Sequence, residues 1–357
     1  MYENIEIRAG SRAIELVRDG GFKADTVKIV AGASGGPKWL VLAGFDKILP
    51  SMFARRKKPL HLVGSSIGAW RLAALASKNP EKAMRTFEDM YVNQRYARRP
   101  TAVEVTAESQ KIMEAYLGGQ EGSILSNPVM RLSVITVRAK GIGASDLRLP
   151  LSLCLAGAAL GNLAHRSLLS YFYERSIFSD PREAAPFAPM NDFPPVHIPL
   201  TALNIREAIM ASGSIPLVMS GIHGIKGAPG GTYRDGGIID YHLDMPFAAG
   251  PEDLVFYPHF YPYIIPGWFD KSLPRRKPSG ANMSNVLLVS PSKSFVDSLP
   301  GKKIPDRDDF MLFRGRDDER VACWKKVASA SRRVADEFME AGGNGKIRDL
   351  VKPIDCR

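Results

Sequence analysis

The chain has 357 residues, 45% hydrophobic and 24% charged, enough apolar material for a sizeable core and no sign of general disorder. A formal net charge of +11 favours anionic partners, namely phospholipid surfaces, acidic lipids or nucleic acid. No zinc-finger, basic-zipper or RNA-binding aromatic signature accompanies that charge, which makes nucleic acid the weaker option. Cys154, Cys323 and Cys356 have neither metal-ligand spacing nor the even count of a disulfide framework, and read as reduced thiols of a cytosolic protein. The start, Met1 to Gly10, lacks the basic-then-apolar layout of a signal peptide. The longest weakly polar stretch, Leu151 to Ala164, is too short and too rich in Gly and Ser to span a bilayer. The expectation is a cytoplasmic protein, with peripheral contact at anionic membrane surfaces.

In chain order, Thr26 to Ala31 is short and β-branched, and a Gly-rich turn leads from it into Trp39 to Leu49, which has helical spacing. Leu60 to Val63 is a second strand, followed by a tight turn and the Ala/Leu-rich run Ala69 to Ser77. Two strand–turn–helix units in succession predict an α/β fold, a mostly parallel sheet with helices on its faces. Further strands are expected at Leu132 to Val137 and Asn285 to Val289, and one charged helix over Glu319 to Ala341. Residues 147–199 and 256–280 interrupt the pattern and read as insertions. In the first, Leu151 to Ala164 reads as a buried helix, with a lid as the alternative. The second crowds Phe256, Tyr257, Phe260, Tyr261, Tyr263, Trp268 and Phe269 ahead of a basic run, Lys271 to Lys277. Such rings suit a membrane interface, weighed against ordinary core packing. Residues 300–357 read as a C-terminal helical extension of a single domain.

The pattern Gly-x-Ser-x-Gly places a serine in a sharp strand-to-helix turn, where flanking glycines let the backbone pass closely and leave Oγ exposed. It occurs twice, at Gly64-Ser65-Ser66-Ile67-Gly68 and at Gly32-Ala33-Ser34-Gly35-Gly36. The first turn's adjacent glycines, leading into Pro37 and Lys38, suit a nest for an oxyanion. Gly35 and Gly36, with positive potential from Lys38, are therefore assigned to the oxyanion hole and Ser66 to attack; the reverse assignment would make Ser34 the nucleophile. A phosphate-binding P-loop fails here, because Pro37 stands where its second glycine is needed and Trp39 where Ser or Thr would bind magnesium. For the base, Asp235-Gly236-Gly237 offers a carboxylate. The rivals are His61, His165, His197, His223, His242 and His259; His242 and His259 follow Asp235 in the order of an α/β-hydrolase triad.

Taken together and in this order, Ser34-Gly35-Gly36-Pro37-Lys38, Gly64 to Gly68 and Asp235-Gly236-Gly237 resemble the patatin-like phospholipases. Ala211-Ser212-Gly213-Ser214-Ile215-Pro216 is similar to the family's Ala-Ser-x-x-x-Pro segment, and Asp235 to Pro246 to its continuation. The resemblance covers roughly residues 25–295. It implies a patatin-like three-layer α/β/α fold and a Ser66–Asp235 dyad, needing neither metal nor cofactor, that cleaves carboxylic esters of lipids. Two departures stand out: Ser34 replaces the first glycine of the usual run, and Trp39 the glycine usual after the basic residue. An ordinary Asp, with a pKa of about 3.9, is a poor base for a hydroxyl, so Asp235 is expected to be partly desolvated. The same dyad would serve an acyltransferase or a polyester depolymerase, and a catalytically silent lipid-binding module is the non-enzymatic alternative.

Overall fold

The computed structural model describes residues 2–96, 100–190 and 192–357. Its strands are β1 (Ile5–Ala9), β2 (Val27–Gly32), β3 (Leu60–Ser65), β4 (Met130–Ala139), β5 (Tyr173–Ser179), β6 (Val196–Pro199), β7 (Ile222–His223), β8 (Thr232–Asp235), β9 (Leu254–Pro258), β10 (Val286–Pro291) and β11 (Val351–Pro353). They form one 11-stranded sheet in the order β11-β1-β10-β9-β2-β3-β4-β5-β6, with β8 also on β4 and β7 on β8. The centre, from β10 through β4, is parallel. β3, β9 and β10 are buried at every position, as parallel strands covered on both faces must be. Helices flank the sheet, giving the α/β class that the alternating units implied.

β4 acts as a ruler for the site. Its first residues pair in parallel with β3 as far as Ser65 opposite Ile135. The next residue, Thr136, pairs antiparallel with Asp235 at the end of β8. Two chain segments that end in chemistry-bearing residues are thus laid on consecutive positions of one strand.

Several expectations need correction. The insertions are not outside the framework: residues 147–199 contribute β5 and β6, and β9 occupies the start of 256–280. Phe256, Tyr257 and Phe260 are core residues, at most 1% exposed, whereas Tyr261, Trp268 and Phe269 are partly buried and Tyr263 is exposed. Leu151 to Ala164 lies within a 17-residue helix, Arg148–Ala164, that is buried on one side only. The C-terminal segment is not purely helical, since β11 pairs with β1. The long charged helix is two helices, Asp317–Ala330 and Arg332–Gly343. The break falls at Ser331, whose Oγ accepts the Gly44 N–H at 2.8 Å, near the start of the helix Ala43–Met52. A Cβ on Gly44 would stand 2.4 Å from the Ser331 carbonyl oxygen, so this junction demands glycine.

Candidate active site

The turn after β3 holds Ser66 at φ 53, ψ −130, ahead of the helix Ile67–Ala76. A non-glycine residue in such a region costs on the order of 1–3 kcal/mol, and persists only where its surroundings fix it. Here they do. The Ser66 N–H donates to Ser212 Oγ at 2.8 Å, and the Ser212 hydroxyl donates in turn to the Ile135 carbonyl at 2.6 Å. Close backbone approach adds to this: a Cβ on Gly64 would lie 2.5 Å from the Ala69 nitrogen, and one on Gly68 would lie 2.1 Å from the Gly32 oxygen. The two glycine-rich turns therefore press against each other, and the elbow tolerates no side chain at either flank.

At the end of β8, Asp235 faces this elbow. The Ser66 hydroxyl donates to Asp235 Oδ2 at 2.7 Å across 169 positions of sequence. Asp235 Oδ1 accepts the Gly237 N–H at 2.7 Å, which fixes the carboxylate plane. The glycines after Asp235 are needed for contact: a Cβ on Gly236 would meet the Ile135 oxygen at 2.2 Å, and one on Gly237 the Ser34 Oγ at 2.5 Å. Burial pushes the Asp235 carboxyl up to about 6, against the opposing pull of the hydrogen bonds from Ser66 and Gly237 and of positive charge on Arg307 and Lys271. Asp235 as a whole residue is 7% exposed.

Ser34, the other serine in a Gly-x-Ser-x-Gly pattern, is held differently. Its hydroxyl donates to Ser65 Oγ at 3.0 Å and makes no bond to Asp235. Gly36 is the residue with positive φ in that turn, at 54, and it opens a 3-10 helix, Gly36–Leu42, with Pro37 in its first turn. The Gly35 and Gly36 amides precede the first hydrogen bonds of that helix, and among the described residues neither donates to a protein acceptor. Gly36 shares a cavity wall with Ser66. Gly35 is set behind it, where a Cβ would meet the Phe260 ring at 2.6 Å. Lys38 is half-buried and does not line that cavity; burial lowers its pKa, and Asp306, Arg307, Asp308 and Lys303 surround it. Trp39 fills the core, stacked on Phe87 with ring centroids 5.0 Å apart.

Among the described residues, no histidine joins the pair. His242 and His259 are fully buried, their rings 4.3 Å apart. Their Nδ1 atoms accept the Ile265 and Tyr261 amides, respectively. Burial holds both neutral, His259 down to about 3. His61 sits in β3, where its pKa too is lowered by burial.

Ser66 opens onto a cavity of about 1030 Å³ whose walls include Ile67, Trp70, Val105, Ile112, Leu151 and Ile215. Small-molecule sites run to roughly 1,000 Å³, so this is a large and mainly apolar one. Two contributors were not assigned a role from sequence. Ser212 lay inside a recognised segment, but only the fold shows its hydroxyl bracing the elbow. Arg307 lies outside every motif; its Cγ is 3.4 Å from where a Gly36 Cβ would stand, and it lines the cavity.

Fold and site together define an α/β protein whose strained serine is hydrogen-bonded to a buried carboxylate beside an apolar cavity. The sequence model of the family described as Patatin-like phospholipase matches residues 30–243, more than half of the chain, and the chain belongs to that family. No curated protein sequence matches it. Among solved structures it is distantly similar to VipD from Legionella pneumophila, at 15% identity and a TM-score of 0.33, over 72% of this chain and 53% of that one. It is also similar to human GIVD cytosolic phospholipase A2, at 12% identity and a TM-score of 0.39, over 98% of this chain and 66% of that one. The chain thus spans about half the length of the first and 66% of the second.

Proposed function

We propose that the protein is a serine acyl hydrolase that cleaves carboxylic esters of lipids through a Ser66–Asp235 dyad. The observation that carries this reading is the 2.7 Å hydrogen bond from Ser66 Oγ to a carboxylate whose pKa burial has raised to about 6. A base is most effective when its pKa approaches the working pH, and desolvation moves Asp235 in that direction.

In this mechanism Ser66 Oγ attacks the ester carbonyl carbon as its proton passes to Asp235 Oδ2. The carbonyl oxygen becomes an oxyanion, received by the amides of the glycine turn, with Gly36 at the cavity wall and Gly35 behind it. Lys38 adds positive potential from its half-buried position. As the tetrahedral species collapses, the C–O bond to the alcohol breaks and Asp235 returns the proton to the leaving oxygen. Water then attacks the acyl-enzyme, giving its proton to Asp235, and release of the fatty acid restores the Ser66 hydroxyl. The apolar cavity beside Ser66 suits the acyl chain, and the charge of +11 suits peripheral contact with anionic lipid surfaces.

Asp235→Asn tests this with two opposed signs. Hydrolysis of a short p-nitrophenyl ester should fall by roughly 10³-fold or more, as expected when a general base is lost from a coupled pair. Stability should move the other way. The folded-state pKa of Asp235 is raised, so its favourable contribution is complete below the unfolded value near 3.9 and disappears as pH climbs through about 6. Asn never ionises, and should gain up to ~3 kcal/mol over the native chain at pH 8 and little at pH 4. In the native enzyme kcat/KM should rise with pH around an apparent pKa of about 6. An Asn variant of undiminished activity would refute the assignment of the base.

A further inference from the structure

The helix Arg148–Ala164 is apolar on its exposed face as well as on its buried one. Leu151, Cys154, Ala158 and Asn162 point inward. Cys154 and Ala158 pack with Val137, Leu169 and Tyr173 in a small second core. Asn162 Nδ2 donates to the buried Asp270 carboxylate at 2.7 Å, anchoring the far end. On the opposite side, Leu149, Leu153, Leu160 and Leu163 are 71%, 58%, 70% and 61% exposed. At 3.6 residues per turn these four fall within a stripe about 80° wide, a position that on an ordinary surface helix would be polar. Ala156, also exposed, lies on the same stripe. Exposed Ile142 and Tyr171, in the segments before and after the helix, extend the apolar surface. From Arg148 to Ala164 there is no acidic residue and one basic residue, Arg148.

The same helix is part of the catalytic cavity. Arg148 and Leu151 line the space onto which Ser66 opens. So do Leu217 and Val218, which are 38% and 37% exposed. Leu217 is held at φ 65, a strained conformation for a branched side chain and of the kind found at ligand-gripping sites. The stripe begins at Leu149, next to the exposed, cavity-lining Arg148, whereas Leu151 reaches the cavity from the helix's opposite, inward face.

We infer that the exposed face of the Arg148–Ala164 helix is the surface by which the protein seats itself on a phospholipid layer, lying in its interface with the leucines among the acyl chains. This builds on the acyl-hydrolase reading and adds the docking surface to it. Stripes of this kind bind lipid surfaces in proportion to the apolar area they bury, helped by basic charge where anionic lipid is present. A lipid layer fits the stripe better than a second protein copy does. It asks for no matching polar groups, of which the stripe has none, and it sets the lipid against a helix whose first turn borders the cavity. The aromatic segment 256–270 offers less apolar surface, with Phe256, Tyr257 and Phe260 in the core and Tyr263 its one exposed ring.

The test is flotation of the full chain, in a Ser66→Ala background so that the lipid stays intact, with vesicles of phosphatidylcholine and phosphatidylglycerol. Leu153→Glu combined with Leu160→Glu should weaken vesicle partitioning by about tenfold or more, since two charges replace buried apolar area. Met339→Glu, an exposed change on the helix Arg332–Gly343, should leave it unchanged. In the Ser66 enzyme, the double change should slow hydrolysis of vesicle phospholipid by a similar factor while the rate on a soluble short-chain ester stays within about twofold. That constant soluble rate, with an unchanged melting temperature, separates a lost surface from a lost fold. The inference is overturned if the double variant floats as well as its parent, or if the parent floats with no vesicle. It is also overturned if light scattering finds a dimer that the double variant dissolves, for then the stripe joins two copies. Flotation that depends on the stripe, in a protein inactive on every ester, would support the docking surface and remove the hydrolase reading beneath it.

Discussion

Residues 32–36 and 64–68 both read Gly-x-Ser-x-Gly, and both connect a parallel strand to a helical segment, yet they are opposite in conformation. In the second, the serine takes the positive φ, at 53, and its hydroxyl is carried to Asp235. In the first, Gly36 takes it, at 54, and Ser34 stays tied to Ser65. The lesson is that the pattern guarantees room, through its glycines, but not which residue bends. Partners decide that. Ser212 receives the Ser66 amide in one turn, whereas the Ser34 amide donates to the Tyr241 carbonyl in the other.

The sharpest way to break this comparison is to remove each hydroxyl. Ser66→Ala should lower kcat on a soluble ester by roughly 10⁴-fold or more, the scale of losing a nucleophile, while Ser34→Ala should stay within about tenfold. Equal losses would mean that the two turns are not functionally distinct. A second approach targets the seam between them. Gly68→Ala drives a methyl to 2.1 Å from the Gly32 oxygen, so backbone must move in both turns at once. It should destabilise the fold by ~3 kcal/mol or more, read as a denaturant midpoint shift, because overpacking here has no flexible side chain to absorb it. Gly36→Ala has a tolerable 3.4 Å contact and suffers mainly from its positive φ, so it should cost only ~1–2 kcal/mol. The smallest expected effect is at the brace. Ser212→Ala leaves the Ser66 amide unpaired, and should cost ~1–2 kcal/mol in stability with about a tenfold fall in kcat at unchanged KM. A raised KM with constant kcat would instead place Ser212 in substrate binding.

Much of this was legible in the chain. Short apolar runs located β2, β3, β4 and β10 to within two residues at every end, because strands buried on both faces leave a continuous apolar signature. What escaped detection had weaker local signals. β5, β6 and β9 carry arginine, proline or aromatics in segments that look like loops, and only long-range pairing reveals them as strands. Pro258 closes β9 without breaking it, since it sits at the strand's last position. The split at Ser331 was hidden because apolar residues recur at helical spacing on both sides; a tertiary contact with Gly44, not local propensity, marks the break. Within the site, Ser66, Asp235 and the glycines announced themselves through motif order. Arg307 could not, being a lone arginine among acidic neighbours some seventy positions beyond the last motif. The Arg148–Ala164 helix misled for a physical reason. An all-round apolar composition normally signals burial, and here one face of it meets solvent.

A fluorophosphonate probe, followed by mass mapping of the adduct, bears most directly on the central claim, because phosphonylation requires a serine already activated by its neighbours. The native chain should carry one adduct, on Ser66, which persists in Ser34→Ala and disappears in both Ser66→Ala and Asp235→Asn. An adduct on Ser34, or undiminished labelling of Ser66 once Asp235 is neutralised, would contradict it.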